Sequence, residues 1–177
     1  MGMTRKGCRS RFVSDTRGTT AIEFAFVALP LFALLFGIFE LALVYMVTTT
    51  LENATYAAGR TIRTGELQSE KGDATTFRKK ICDDLSWLGS ACATHLYVNV
   101  ETLTAFNKPD LKPPMKDGKF DETSLKFEPG EEGDIVMVRS YYRWALFTPF
   151  LKGGMQTTSA GEAIFTSAAT FRNEPYK

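Results

Sequence analysis

The distribution of apolar positions divides the chain into one long hydrophobic run and a remainder of mixed character. The run Phe24–Val47 is apolar throughout except for one charged residue, Glu40. At about 1.5 Å per residue, a helix over this run spans about 36 Å, which exceeds the ~30 Å hydrocarbon core of a bilayer. A buried helix of a soluble domain is rarely apolar on every face for that length. The run therefore predicts one transmembrane helix.

Basic residues precede the run and predict its orientation. Positive charge beside a transmembrane helix is retained in the cytoplasm. We therefore expect a single-pass inner-membrane protein with a cytoplasmic N-terminus and a periplasmic remainder. A cleaved secretory signal is disfavoured, because the run is longer than a signal core and no small-residue cleavage site closes it. Residues 1–18 contain one acid, Asp15, and these basic positions: Arg5, Lys6, Arg9, Arg11 and Arg17.

The helical pattern continues beyond the apolar run. Apolar residues recur at three- and four-residue steps, as on one face of an amphipathic helix: Leu51, Ala54, Ala58 and Ile62. Gly65 follows at a position suited to a helix C-cap. We predict one continuous helix from residue 20 to residue 64, apolar all round in its first part and amphipathic in its second.

The rest of the chain shows the helix and strand patterns of a small domain. Asp73 is suited to cap a helix that runs through Leu85 and ends before Gly89. Residues 105–134, rich in Pro, Gly, Lys and acids, are predicted to form a long surface loop. Pro149 with Gly153–Gly154 predicts a turn. Three segments are predicted strands: His95–Leu103, Asp134–Leu146 and Glu162–Phe171.

These segments predict the fold class. Three antiparallel strands cannot bury both faces of their sheet, so one face has to pack against helices. The predicted fold is α+β, with a long N-terminal transmembrane helix that continues into an amphipathic helix and packs on a small antiparallel sheet with a second helix. The predicted domains are a basic cytoplasmic leader (1–18), the transmembrane plus amphipathic helix (19–65) and a periplasmic α+β domain (66–177).

Cysteine placement agrees with this topology. Cys82 and Cys92 fall in the predicted periplasmic part, where an oxidising environment favours a disulfide. A metal site is the alternative, but two cysteines with the nearby His95 fall short of a tetrahedral ligand set. We therefore predict a disulfide and no metal.

Few residues suggest catalysis. His95 is the only histidine of the chain, and no nucleophile elbow, zinc-protease motif or phosphate-binding loop accompanies it. The acids of the predicted loop lack the spacing of a calcium-binding EF-hand. The net charge of +1 does not favour nucleic acid as a partner. We expect a protein that is not an enzyme and that uses no cofactor. The loop acids are Asp121, Glu122, Glu128, Glu131, Glu132 and Asp134.

The N-terminal third resembles a known family. Over residues 17–65 the chain is similar to the TadE-like proteins of tight-adherence (Flp) pilus assembly. The resemblance implies a minor pilin or pseudopilin of a type IVb pilus, with the bilayer, the major pilin and other Tad/Flp subunits as partners, either retained in the membrane or incorporated in the pilus. An unprocessed membrane scaffold and a membrane-anchored periplasmic binding module are the alternatives. The matching features are Gly18, Glu23–Phe24, Pro30, Gly37, Glu40, Leu51–Glu52 and the small-residue stretch Ala54–Arg60.

Within this segment, one motif resembles a prepilin peptidase site. Cleavage after Gly18 would leave Thr19 as the new N-terminus, with Glu23 at its fifth position and Phe24 behind it. Glycine allows an extended backbone to enter a protease cleft, and Glu23 is placed to meet a neighbour's new ammonium group. The alternative is that Gly18 is a flexible joint and Glu23 an acid that suits the helix dipole.

Glu40 is the second charge of interest, because an acid inside a membrane helix is costly and commonly functional. The sequence places it in the outer half of the apolar run. One interpretation is a polar contact with a partner helix, with Gly37 one turn earlier allowing close approach. The alternative is that Glu40 is protonated or extends outward to the membrane surface.

Overall fold

The computed structural model describes residues 18–106 and 111–176. The predicted α+β class is confirmed: a long apolar helix is followed by a small antiparallel sheet with further helices. The predicted leader lies almost wholly in residues 1–17, outside the described residues. The helices are α1 (Thr19–Arg63), α2 (Glu66–Ser69), α3 (Ala74–Asp84), α4 (Ala91–His95) and α5 (Pro149–Met155). The strands are β1 (Leu96–Leu103), β2 (Met115–Lys116), β3 (Lys119–Phe120), β4 (Ile135–Ala145) and β5 (Glu162–Arg172).

Helix α1 has the length that the sequence predicts, 45 residues. The chain forms two compact units, one up to Phe39 and one from Glu40 onward, so that α1 contributes to both. We call its first part, Thr19–Phe39, the apolar span, and its second part, Glu40–Arg63, the domain helix.

The domain helix buries one face in its own unit. The predicted amphipathic positions Leu51, Ala54, Ala58 and Ile62 are all buried, and Val47 extends the same face toward the N-terminus. Three-residue and four-residue spacing produces this stripe because 3.6 residues complete one turn. Packing of this face therefore joins the domain helix to the core.

The main sheet has the order β1-β4-β5, with all pairs antiparallel. Val100 of β1 lies opposite Val138 of β4, which in turn lies opposite Ala169 of β5. All three residues are buried. The core cluster combines side chains of β1 and β4 with those of the domain helix and α3, so one face of the sheet packs on helices, as expected.

Helix α3 begins where its capping residue predicts. The Asp73 carboxylate accepts a hydrogen bond from the backbone N–H of Thr76 at 2.8 Å, which satisfies one of the free donors of the first turn. Phe77 and Ile81 are buried on the inner face of the helix. Cys82 and Cys92 form a disulfide with their Cα atoms 5.7 Å apart, joining α3 to α4.

Two local predictions are wrong. His95 does not open β1 but is the last residue of the short helix α4. Gly153 and Gly154 do not form a turn but lie inside α5, which Pro149 begins. Proline is tolerated in a first helical turn because its missing N–H has no partner there, so Pro149 started a helix where the sequence suggested a break.

The predicted surface loop is partly ordered against the sheet. Within its described part, β2 and β3 form a hairpin. Two backbone hydrogen bonds join the loop to Val100 of β1. The Val100 N–H donates to the carbonyl of Lys126 at 2.9 Å, and the Glu128 N–H donates to the carbonyl of Val100 at 2.8 Å. Phe127 packs on the core between them. This segment therefore covers the edge of β1, which would otherwise be open to other strands.

Candidate functional site: the apolar span and a buried carboxylate

The apolar span exposes nearly all of its large side chains. Those from Ile22 to Phe39 have between 49% and 78% of their surface exposed. A contiguous apolar surface of this kind marks a contact with lipid or protein. From Thr19 to Phe39 the helix rises about 30 Å, the thickness of a hydrocarbon core. Within the described residues, α1 is the one helix long and apolar enough to cross a membrane, and it fits a single membrane anchor.

The predicted processing residues lie at the start of this span. Gly18 directly precedes α1, Thr19 is its first residue, and Glu23 and Phe24 follow in its second turn with exposed side chains. In the described part of the chain, Glu23 has neither a hydrogen bond nor an ion pair. These residues are thus accessible, and their processing stays a prediction.

Glu40 begins the domain helix with a fully buried side chain. One carboxylate oxygen accepts the backbone N–H of Phe147 at 2.8 Å, and the other accepts that of Thr148, also at 2.8 Å. The carboxylate is therefore held at two points by its own chain.

The residues that bind Glu40 belong to the turn between β4 and α5. Thr148 is the N-cap residue of α5, and its side chain does not cap the helix. N–H groups at a helix start have no partner within the helix. The Glu40 carboxylate therefore supplies the acceptor that this turn lacks.

Sequence reasoning missed Phe147 and Thr148 as partners of Glu40. The sequence Thr-Pro at 148–149 was the available signal, since it is typical of a helix start with free donors. The predicted contact of Glu40 and Gly37 with a partner helix stays a prediction. One alternative interpretation was that the Glu40 side chain extends outward to the membrane surface. It does not, because it lies buried in its own unit.

The structure divides the apolar run at a different place from the one that hydropathy indicates. Val44 and Val47, counted from the sequence as transmembrane, are buried in the unit that begins at Glu40. Leu41 and Tyr45 remain exposed on the same turns. Hydropathy cannot make this distinction, because lipid and a protein core both select apolar side chains.

Charged residues elsewhere on the sheet have structural partners. Arg143 contacts Glu162 at 3.2 Å and the Tyr97 hydroxyl at 3.1 Å, and its guanidinium lies over the Tyr97 ring. The hydrogen bond to Glu162 raises the pKa of Arg143. Arg139 pairs with Glu101 across β1 and β4 at 2.6 Å. These pairs connect the strands of the sheet on their polar side.

The acids of the predicted loop accept hydrogen bonds from different neighbours. Asp121 accepts from Thr123, and Asp134 accepts the N–H of Glu131. Hydrogen bonds from Thr123 lower the pKa of Asp121. Across residues 18–106 and 111–176, no three Asp, Glu, His or Cys side chains group in a way that could hold a metal ion.

Residues 18–60 match the family model described as TadE-like protein. The matched segment contains the apolar span, Glu40 and most of the domain helix. The resemblance predicted from residues 17–65 is thereby confirmed over residues 18–60. No match to the chain was found among curated proteins or among solved structures.

Proposed function

From the TadE-like match over residues 18–60, we propose that this protein is a non-enzymatic minor pilin or pseudopilin that takes part in assembling or anchoring a Flp-type (type IVb, tight-adherence) pilus. The observation that carries the proposal is that the matched segment contains the whole of the exposed apolar span. A pilin needs such a helix twice, first as a membrane anchor and then as a contact surface between subunits.

In this proposal, the N-terminus is cytoplasmic and the unit from Glu40 onward lies in the periplasm. The basic residues between Arg5 and Arg17 support this orientation. The disulfide between Cys82 and Cys92 also supports it, because such bonds persist in oxidising compartments. The protein is thus a single-pass component of the inner membrane before any assembly into a fibre.

The proposed partners follow from the residues of the span. Prepilin peptidase would cut after Gly18, leaving Thr19 as the N-terminal residue. The carboxylate of Glu23 would then pair with the ammonium group of a neighbouring subunit, such as the major pilin, and this pairing would offset part of the cost of a charge near lipid.

The test is the intact mass of the protein extracted from membranes with and without prepilin peptidase. We expect a peptidase-dependent loss of residues 1–18. The variant Gly18→Ala should stay uncut, and it should fold normally because an added Cβ meets no atom of residues 18–106 or 111–176 within 4 Å. Gly153→Ala is the matched control, since its Cβ is equally free and its site lies far along the sequence from the cut.

A full-length mass in both strains would contradict the processed pilin and support the unprocessed scaffold. Shearing surface fibres from the cells provides a second test that distinguishes a minor pilin from a membrane scaffold. A minor pilin should be recovered with the sheared surface fibres, whereas a scaffold should remain entirely in the membrane fraction.

A further inference from the structure

The turn between β4 and α5 carries two exposed aromatic side chains. Phe147 is 49% exposed and Phe150 is 57% exposed, whereas Tyr141 and Tyr142 of the preceding strand are buried. Leaving two phenylalanines half exposed to water forgoes part of the stabilisation that burial of their rings would bring. We call Phe147–Phe150 the aromatic turn.

Glu40 fixes the position of the aromatic turn. Its carboxylate binds the N–H groups of Phe147 and Thr148, each at 2.8 Å. Glu40 also directly follows Phe39, the last residue of the apolar span. The backbone of the aromatic turn is therefore held within hydrogen-bond distance of the side chain that begins the domain helix.

This position corresponds to one surface of a membrane that the span crosses. The span rises about 30 Å from Thr19 to Phe39, so a bilayer core that it fills ends next to Glu40. Tyr45, one turn beyond Glu40, is also exposed. Trp and Tyr concentrate at this level of membrane proteins, and segments that lie in the interface bury Phe side chains there as well.

We propose that the aromatic turn inserts into the outer interfacial layer of the bilayer, with lipid as its occupant, and that Glu40 acts as its positioning residue. The inference rests on the membrane anchoring contained in the proposed function. Continuity favours lipid over a protein partner, because the turn is tied to the residue that ends a lipid-length helix. The charge of α5 agrees: its residues include one cation, Lys152, and no acid, which suits anionic lipids.

The experiment measures the depth of single labels in the full chain. Cys8→Ser leaves no free thiol, because Cys82 and Cys92 are bonded to each other. In this background, Phe150→Cys is labelled with an environment-sensitive fluorophore under non-reducing conditions. The protein is reconstituted in vesicles of phosphatidylcholine and phosphatidylglycerol. Quenching by nitroxide lipids reports contact with the bilayer, and quenching by iodide reports contact with water.

Phe106→Cys is the matched control. Phe106 is also an exposed phenylalanine, three residues beyond Leu103, which pairs with Ile135 at the start of β4. The aromatic turn follows the other end of β4, after Ala145. At ~3.3 Å per residue the two ends of β4 are about 33 Å apart, so the two labels report on well-separated surfaces of the same unit.

We expect the label at position 150 to be quenched several-fold more by nitroxide lipid than the label at position 106, and the reverse with iodide. Adding Glu40→Leu should reduce lipid quenching at position 150, because the turn loses its two hydrogen bonds. Glu40→Gln, which keeps one acceptor oxygen, should restore part of it. A label at Phe32→Cys, within the span, should be quenched by lipid in every variant.

Equal iodide quenching at positions 150 and 106, with position 32 still quenched by lipid, would overturn the inference and leave the membrane anchor intact. Protection of position 150 from both quenchers would also overturn it, in favour of a contact with another protein. Loss of lipid quenching at position 32 would refute the anchor itself, and the inference with it.

Discussion

Both parts of α1 carry large apolar side chains, but these side chains have opposite surroundings in the two parts. In the apolar span, large side chains on all sides are at least 49% exposed. In the domain helix, the face from Val44 to Ile62 is at most 8% exposed, while Tyr56 on the far side is open to solvent. Both parts are driven out of water by the same effect. Hydropathy therefore measures the tendency of a segment to leave water. Contacts with the rest of the chain decide whether the segment is buried in the protein core or stays exposed.

Glu40 marks the change between the two parts. It is the first residue of α1 in the second compact unit, and its side chain is fully buried. A buried polar side chain is tolerated where hydrogen bonds replace its hydration, and the N–H groups of Phe147 and Thr148 provide them for Glu40. The domain thus begins with a specific polar contact, whereas the span requires none.

The largest effect is expected when one leucine in each part of α1 is replaced by alanine. Leu51→Ala, at a buried site, should lower the free energy of unfolding of the domain by about 2–5 kcal/mol. Leu34→Ala, in the exposed span, should leave it unchanged. Unfolding of the full chain in detergent can be followed by tryptophan fluorescence, because Trp87 and Trp144 both lie in the second unit. Equal losses of unfolding free energy for the two variants would contradict the different surroundings of the two parts of α1.

Removing the disulfide should affect the second unit alone. The bond closes a ring over a sequence separation of 10, which corresponds to about 2–3 kcal/mol in the chain-entropy model. The double variant Cys82→Ser/Cys92→Ser should lose this much domain stability, measured by the same fluorescence assay. Retention of the chain in membranes after carbonate washing should not change. A loss of retention would indicate that the span depends on the domain.

Substitution of Glu40 tests the residue at which the two parts meet. Glu40→Leu should destabilise the domain by about 1–3 kcal/mol, because buried N–H groups lose their acceptor. Glu40→Gln should cost less, since its carbonyl oxygen still accepts one bond. Amide hydrogen exchange at Phe147 and Thr148 should accelerate in the same order. Unchanged exchange in Glu40→Leu would show that these amides do not depend on the carboxylate.

The smallest effect concerns pH and Asp73. The hydrogen bond from the Thr76 N–H is the main cause that lowers the pKa of Asp73 below its ordinary value of 3.8. A lowered pKa in the folded state means that the stabilisation is complete above pH 3.8 and is lost as the pH falls through the folded value. Asp73→Asn can still cap the helix but does not titrate. The variant should therefore weaken the pH dependence of the free energy of unfolding at acid pH. Part of this dependence should remain because the pKa of Asp121 is also lowered.

Much of the fold was predictable because its signals are local. The bounds of α1 agree to within one residue with those predicted, since a long apolar run and a helical stripe both indicate them. Asp73 indicated the start of α3 by its capping chemistry. The three strands of the main sheet followed from apolar alternation and β-branched composition.

The failures have physical causes. Helix α4 has no side-chain cap at Ser90 and only five residues, so neither capping nor periodicity indicated it. In α5, Gly153 and Gly154 disfavour a helix by propensity, but the start at Thr148–Pro149 overrides them. The partners of Glu40 lie 107 and 108 residues away, and no local pattern in one sequence contains a contact of that separation.

That separation also sets an order of events in biosynthesis. At roughly 5–20 residues per second, the ribosome adds Phe147 about 5–20 s after Glu40, given their separation of 107 residues. The apolar span has therefore left the ribosome long before the amides that bind Glu40 exist. During this interval the carboxylate has only water or headgroups as partners. The Glu40 side chain is thus exposed at the end of the anchor in the nascent chain, and folding of the domain later withdraws it from solvent.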